Sequence, residues 1–213
     1  MPERFTSSRR TSGSSSYDTG QGGGQIEDSV QESANEELQP SRSNGVVIQA
    51  NSGGISSVNL ADTNSVLIAE ISGGDRWKQA NFDLETFEGF FGATAGDNSY
   101  FIKLRHVDSS GTITDEVLSQ AVSVKSSNYR FELAAAAGIP FPSNGYPLGI
   151  FIKVGPDRFL YNLCLPDETF YQEVRNFLDS RWTGSNNRRM RIITNVATLK
   201  VNCPNLPLWI NED

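Results

Sequence analysis

Apolar positions recur along this chain in two rhythms, and the changes between them mark its elements. "VLIAEIS", residues 66–72, is apolar almost throughout and stops at Gly73-Gly74, as expected of a strand buried on both faces. "GVVIQA", residues 45–50, reads as an earlier strand. In "SYFIKLRHV" the alternation puts Ile102, Leu104 and His106 on one face and Phe101, Lys103, Arg105 and Val107 on the other, with Gly111 freeing the backbone for a reversal. "EVLSQAVSVKS" and "YRFELA" predict two more strands. The strongest local pattern is "LGIFIKVGPDRFLYNLCLP", two apolar runs flanking Gly155-Pro156-Asp157-Arg158. Pro presets the backbone for a type I turn and Asp follows naturally, so a β-hairpin is expected, placed centrally because both its faces are apolar.

Helical spacing appears twice. In "DLETFEGFF", residues 83–91, Asp83 is a plausible N-cap and Leu84, Phe87 and Phe91 would bury one face. In "DETFYQEVRNFLDSRW", residues 167–182, Asp167 is expected to cap, Phe170, Val174, Phe177 and Leu178 form the stripe, and Gly184 ends the element. "RRMRIIT" predicts a last long strand, "NVATLKVNC" a short helix or strand, and "CPNLPLWI" an irregular tail. Six to eight strands with two short helices and no regular strand–helix alternation predict a mainly β (α+β) fold: a curved antiparallel sheet or small pseudobarrel.

Composition divides the chain in two. Residues 1–44 are rich in Ser, Gly and Glu, carry no hydrophobic period and are expected to be a disordered tail, with residues 45–213 as a single β-rich domain. The formal charge of −7 weighs against attraction of the whole surface to phosphate or anionic lipid, while leaving room for a local basic patch. No run of 18 apolar residues occurs, and the N-terminal "MPERFTSSRR" lacks the apolar stretch of a secretory signal, so an intracellular, cytoplasmic protein without membrane association is expected.

The residues argue against several chemistries. A single histidine, His106, excludes histidine-rich zinc sites, and no Gly-x-Ser-x-Gly elbow accompanies it. Its neighbours Ile102 and Leu104 make it a half-buried structural histidine. Cys164 and Cys203 have apolar or prolyl neighbours and no activating setting. "TGQGGGQ" and "GFFGATAG" do not join a strand to a helix, so neither is a phosphate loop. No catalytic residue, cofactor or metal is expected.

What remains is charge. From Arg175 to Lys200 six basic residues face one acid, Asp179. "SRWTGSNNRRMRIIT" gathers Arg181, Trp182, Asn187, Arg188, Arg189 and Arg191, and "SGGDRWKQANF" places Arg76, Trp77, Lys78 and Gln79 in an expected loop. If 188–194 is a strand, Arg189 and Arg191 share one face and Arg188 the other. Arginine forks bind phosphate or guanine, asparagine can read adenine and indole can stack on a base; the same residues are also enriched at protein interfaces. Two such loops on a small β-rich body resemble, in shape alone, the pseudobarrel DNA-recognition domains of plant transcription factors and some restriction enzymes; that resemblance implies DNA contact through the loops. The chain is therefore expected to be a non-enzymatic interaction module whose partner is a protein, including a second copy of itself. The alternative is nucleic-acid recognition by Arg76, Lys78, Arg188, Arg189 and Arg191, and the third reading an enzyme with an unrecognised site.

Overall fold

The computed structural model describes residues 58–74, 76–124, 128–185 and 188–210, together with the backbone of 47–49; all lie in one compact unit, Arg42–Asp213. The expected tail, residues 1–44, lies outside the described residues. The strands are β1 (Val47–Gln49), β2 (Ser65–Glu70), β3 (Gln79–Phe82), β4 (Phe101–His106), β5 (Val117–Gln120), β6 (Val122–Val124), β7 (Asn128–Glu132), β8 (Leu148–Lys153), β9 (Arg158–Cys164) and β10 (Arg191–Asn195). The α-helices are α1 (Tyr171–Arg181) and α2 (Val196–Asn202). Seven strands form one sheet in the order β1-β5-β4-β9-β8-β2-β10, and β3-β7-β6 form a second. Among the described residues neither sheet closes into a barrel, so the curved-sheet expectation holds and the pseudobarrel does not.

The expected β8–β9 hairpin sits at the centre of the larger sheet, with Leu148 opposite Cys164 and Lys153 opposite Phe159. One pairing departs from the antiparallel expectation: β4 and β9 run parallel, Leu104 beside Phe159 and His106 beside Tyr161. Parallel neighbours need a long crossover, and here the chain makes it through β5, β6 and β7 before returning by β8.

Strand periodicity then splits the core into two layers. On one face Leu67, Ala69, Phe151, Phe159 and Tyr161 pack with Phe82, Phe87, Phe91 and Phe131 from the smaller sheet and its neighbouring turn. On the other, Val66, Ile68, Ile150, Ile152 and Leu160 pack with Val174 and Leu178 of α1 and Val196 and Leu199 of α2. Alternate residues of β2, β8 and β9 thus face opposite layers, which is why these runs are apolar without interruption. Phe91 lies between Phe82, Phe131 and Phe159, with ring centroids 4.8, 4.8 and 5.1 Å away, and is fully buried. Truncating it empties the middle of the layer. Phe91→Ala should cost roughly 3–5 kcal/mol of stability, read as a lower urea midpoint at unchanged slope.

Two local expectations need correction. Asp83 does cap its element, accepting the Thr86 N–H at 2.9 Å, but the turn then widens: Thr86–Phe90 is a π-helix, with the Phe91 N–H on the Thr86 carbonyl at 3.2 Å. The wider turn carries Phe87, Phe90 and Phe91 inward and leaves Leu84 41% exposed, outside the predicted stripe. Asp167 does not cap α1; that helix begins at Tyr171 with no side-chain cap, because Leu165–Phe170 is a separate turn closed by Glu168 accepting the Leu165 N–H at 3.0 Å. The stripe itself is as expected, with Phe170, Val174, Phe177 and Leu178 all buried.

Candidate functional site

β2 runs antiparallel to both β8 and β10, so the end of β2 and the starts of β8 and β10 lie at one end of the larger sheet. The segment after β2, carrying Arg76, Trp77 and Lys78, therefore emerges beside the approach to β10, which carries Arg188 and Arg189. A row of rings joins the two. The Arg189 guanidinium lies 3.9 Å from the Tyr146 ring centroid, Tyr146 is 6.1 Å from Phe141, and Phe141 is 5.9 Å from Trp77. The Phe141 ring rests on Gly73, where a β-carbon would come within 2.9 Å of it. The two sequence-selected basic segments thus meet on one aromatic seam. An open groove of about 710 Å³, lined by Gly74, Trp77, Lys78, Ala136, Gly138 and Phe141, borders its Trp77–Phe141 end.

In the first segment the structure turns two candidates inward. Trp77 is 5% exposed and donates its indole N–H to the Ile139 carbonyl at 2.8 Å, so it is a core residue with no contact face. Gln79 is also buried, because 79–82 is not loop but strand β3, paired with β7 from Gln79–Glu132 to Phe82–Tyr129. Lys78 stays half-exposed, its Nζ 2.9 Å from Glu132. Arg76 faces solvent without an ion pair among the described residues. Arg130 of β7 stands near it: burial, and then the charge of Arg76, push the Arg130 pKa down. Sequence reasoning missed Arg130, whose place beside Arg76 depends on the β3–β7 pairing.

In the second segment the strand starts three residues later than expected, so alternation does not set the directions of Arg188 and Arg189. Arg188 is exposed, in a turn closed by its N–H on the Ser185 carbonyl at 3.0 Å, and has no ion pair among the described residues. Arg189 holds its guanidinium over the Tyr146 ring. Arg191 is withdrawn from any contact role: its Nη1 is 2.7 Å from Asp83, and the side chain is 18% exposed. Burial alone would raise the Asp83 pKa; hydrogen bonds from Thr86 and the charge of Arg191 outweigh it and hold the carboxyl below its ordinary value. Arg181 is exposed, its guanidinium 5.6 Å from the Phe177 ring, and Trp182 is half-buried with its ring folded over Gly184. Both belong to a separate groove of about 300 Å³ between α1 and β10. Asn187 lies outside the described residues.

A buried carboxylate anchors the second segment. Glu70, at the end of β2, accepts the Met190 N–H at 2.9 Å and pairs with Arg175 of α1, while its own N–H donates to the Met190 carbonyl at 2.9 Å. Together these bonds set where the chain enters β10, and hence where Arg188 and Arg189 emerge. Sequence reasoning gave Glu70 no role.

The groups weighed for other chemistry lie elsewhere. Cys164 and Cys203 are buried free thiols; burial pushes both pKa values up, that of Cys203 to about 12, and keeps them protonated. His106 borders a cavity with Asp115 and Tyr161, and burial lowers its pKa to about 4. Among the described residues no group of three or more His, Cys, Asp or Glu is placed to hold a metal ion, and no helix is long and apolar enough to cross a membrane.

The fold and this end of it define a class: an open two-sheet β domain with cationic segments converging at one sheet end. No family model and no curated protein sequence matches the chain. Among solved structures it is similar to the N-terminal domain of Helicobacter pylori LlaJI.R1, at 10% identity and a TM-score of 0.42, over 61% of this chain and 97% of that one.

Proposed function

We infer that the domain binds nucleic acid through the end of the larger sheet, with Arg76, Lys78, Arg188 and Arg189 directed to phosphates. The observation that carries this is a division of labour within the two segments. Trp77 and Gln79 are buried and Arg191 is paired, while Arg76 and Arg188 stay exposed without an acidic partner among the described residues. Loss of the apolar anchor Trp77 removes what a protein hot spot would use; unpaired guanidinium groups are what a polyanion uses. Arg189, already placed over the Tyr146 ring, loses less freedom on contact. The net charge of −7 on the whole chain disfavours attraction elsewhere, which favours an oriented approach.

The combined variant Arg76→Ala/Arg188→Ala/Arg189→Ala should leave the unfolding free energy from urea titration within about 0.5 kcal/mol of the parent. It should also flatten the salt dependence of binding by roughly 0.9 for each phosphate that is no longer neutralised. An unchanged mobility shift in this variant would remove the assignment. A second reading, a protein interface, draws on β10: it is the edge strand of the larger sheet and leaves Ile193 60% exposed beside the groove of Arg181 and Trp182. Ile193→Lys tests it, since self-association in sedimentation should fall while nucleic-acid binding persists.

A further inference from the structure

The cavity beside His106 plays no part in the phosphate contacts. It encloses about 320 Å³, with Leu104 and Val117 as apolar walls and Ala134 and Ala135 leaving room where larger side chains would fill it. The parallel pairing of β4 and β9 builds its polar corner. That register sets Tyr161 beside His106, ring centroids 5.1 Å apart and tilted by 49°. Tyr161 Oη accepts the Ala135 N–H at 3.2 Å, and among the described residues its own hydrogen is given to no acceptor. The Thr114 hydroxyl is already engaged, accepting the His106 backbone N–H at 3.0 Å and donating to the Asp115 carbonyl at 3.3 Å. The His106 ring makes no hydrogen bond among the described residues and, being neutral, offers one donor and one acceptor.

We propose that this cavity binds an uncharged planar ring bearing a donor and an acceptor on one edge, with one face against Leu104 and Val117 and its polar edge on His106 and Tyr161. Three features converge on that class. The volume matches small-ligand sites, which are mostly apolar with a few convergent polar groups. Of the polar side chains in the lining, His106 and Tyr161 are neutral with hydrogen-bonding capacity left, and Asp115 is an exposed carboxylate, so the site rewards hydrogen bonding and repels an anion. The burial that keeps His106 unprotonated also penalises an ionic ligand, and an anion would in addition meet the Asp115 carboxylate with no cation in the lining. An aryl carboxamide and a nucleobase share this chemistry.

The test follows the ring resonances of His106 and Tyr161 in the full chain by NMR during titration with benzamide, benzoate and uracil. Benzamide should shift both rings saturably, and benzoate, of the same shape but charged, should bind at least tenfold more weakly. Uracil binding more tightly than benzamide would mark a nucleobase as the source, and the reverse order an aryl amide. Ala135→Leu, which fills the cavity, should abolish the shifts; Val117→Phe does the same from the opposite wall if the first variant fails to fold. No saturable shift with either neutral probe, equal affinity for benzoate and benzamide, or undiminished shifts in a folded filled variant would overturn the proposal.

Discussion

Glu70→Ala is expected to destabilise the protein by about 3 kcal/mol, at the lower end of what breaking a buried ion pair costs. The substitution strands two donors. Arg175 retains Asp179, 2.9 Å away on its own helix, and so is not left wholly unpaired; the Met190 N–H has no second acceptor among the described residues. Glu70→Gln keeps an oxygen for that N–H while losing the charge, and should cost about half as much. Urea unfolding of the two variants measures the difference. The substitution also reaches function: the bonds to Met190 set where Arg188 and Arg189 emerge, so Glu70→Ala should weaken nucleic-acid binding in protein that is still folded, although Glu70 touches no ligand. Equal stability of parent and Glu70→Ala would show that the Arg188–Met190 segment is held in place by something else.

The second large effect is a loss of stability in mild acid. His106 titrates near 4 in the folded chain, because burial disfavours its charged form, against about 6.5 when unfolded. Between those values the unfolded chain binds the proton and the folded chain does not. Stability from this group is therefore complete above pH 6.5 and declines as the pH falls towards 4, by up to roughly 3 kcal/mol at 1.4 kcal/mol per unit. The chain holds one histidine, so no other imidazole shares the window. Glu168 works in the opposite direction: burial raises its pKa, and acidification through that range favours the fold. The informative quantity is therefore the difference between parent and His106→Gln. Unfolding free energies at pH 7 and pH 4.5 should differ by at least 1.5 kcal/mol more in the parent, on the order of what the titration requires. A parallel pH dependence in the two proteins would contradict a half-buried, neutral His106.

How much of this was legible in the sequence depends on how local each cause is. The β8–β9 hairpin was readable because Pro156 and Asp157 determine the turn and the flanking runs are apolar. The α1 stripe was readable because burial at i, i+4, i+7 and i+8 needs only one packing face. β3 was not: Gln79–Phe82 is four residues long, and it becomes a strand only by pairing with β7, far along the chain. That same non-local pairing buries Trp77 and Gln79, which is why two of the candidate contact residues proved to be interior. The widening of the turn at Thr86–Phe90 was hidden, because Leu84, Phe87 and Phe91 stand at ordinary helical spacing, and the Arg191–Asp83 pair joins elements remote in sequence. The basic segments themselves were visible as charge. Their convergence was not, because it depends on the antiparallel order of β8, β2 and β10 and on a tyrosine and a phenylalanine, Tyr146 and Phe141, that no local pattern singles out.

The most direct measurement is the equilibrium binding of the full chain to a short duplex DNA at a series of salt concentrations. With Arg76, Lys78, Arg188 and Arg189 on phosphates, the logarithm of the binding constant should fall linearly with the logarithm of salt, with a slope of about −3 to −4. The Arg76→Ala/Arg188→Ala/Arg189→Ala variant should retain a slope of about −1. Absence of binding at about 50 mM salt, where phosphate contacts are strongest, or an affinity indifferent to salt would contradict the account.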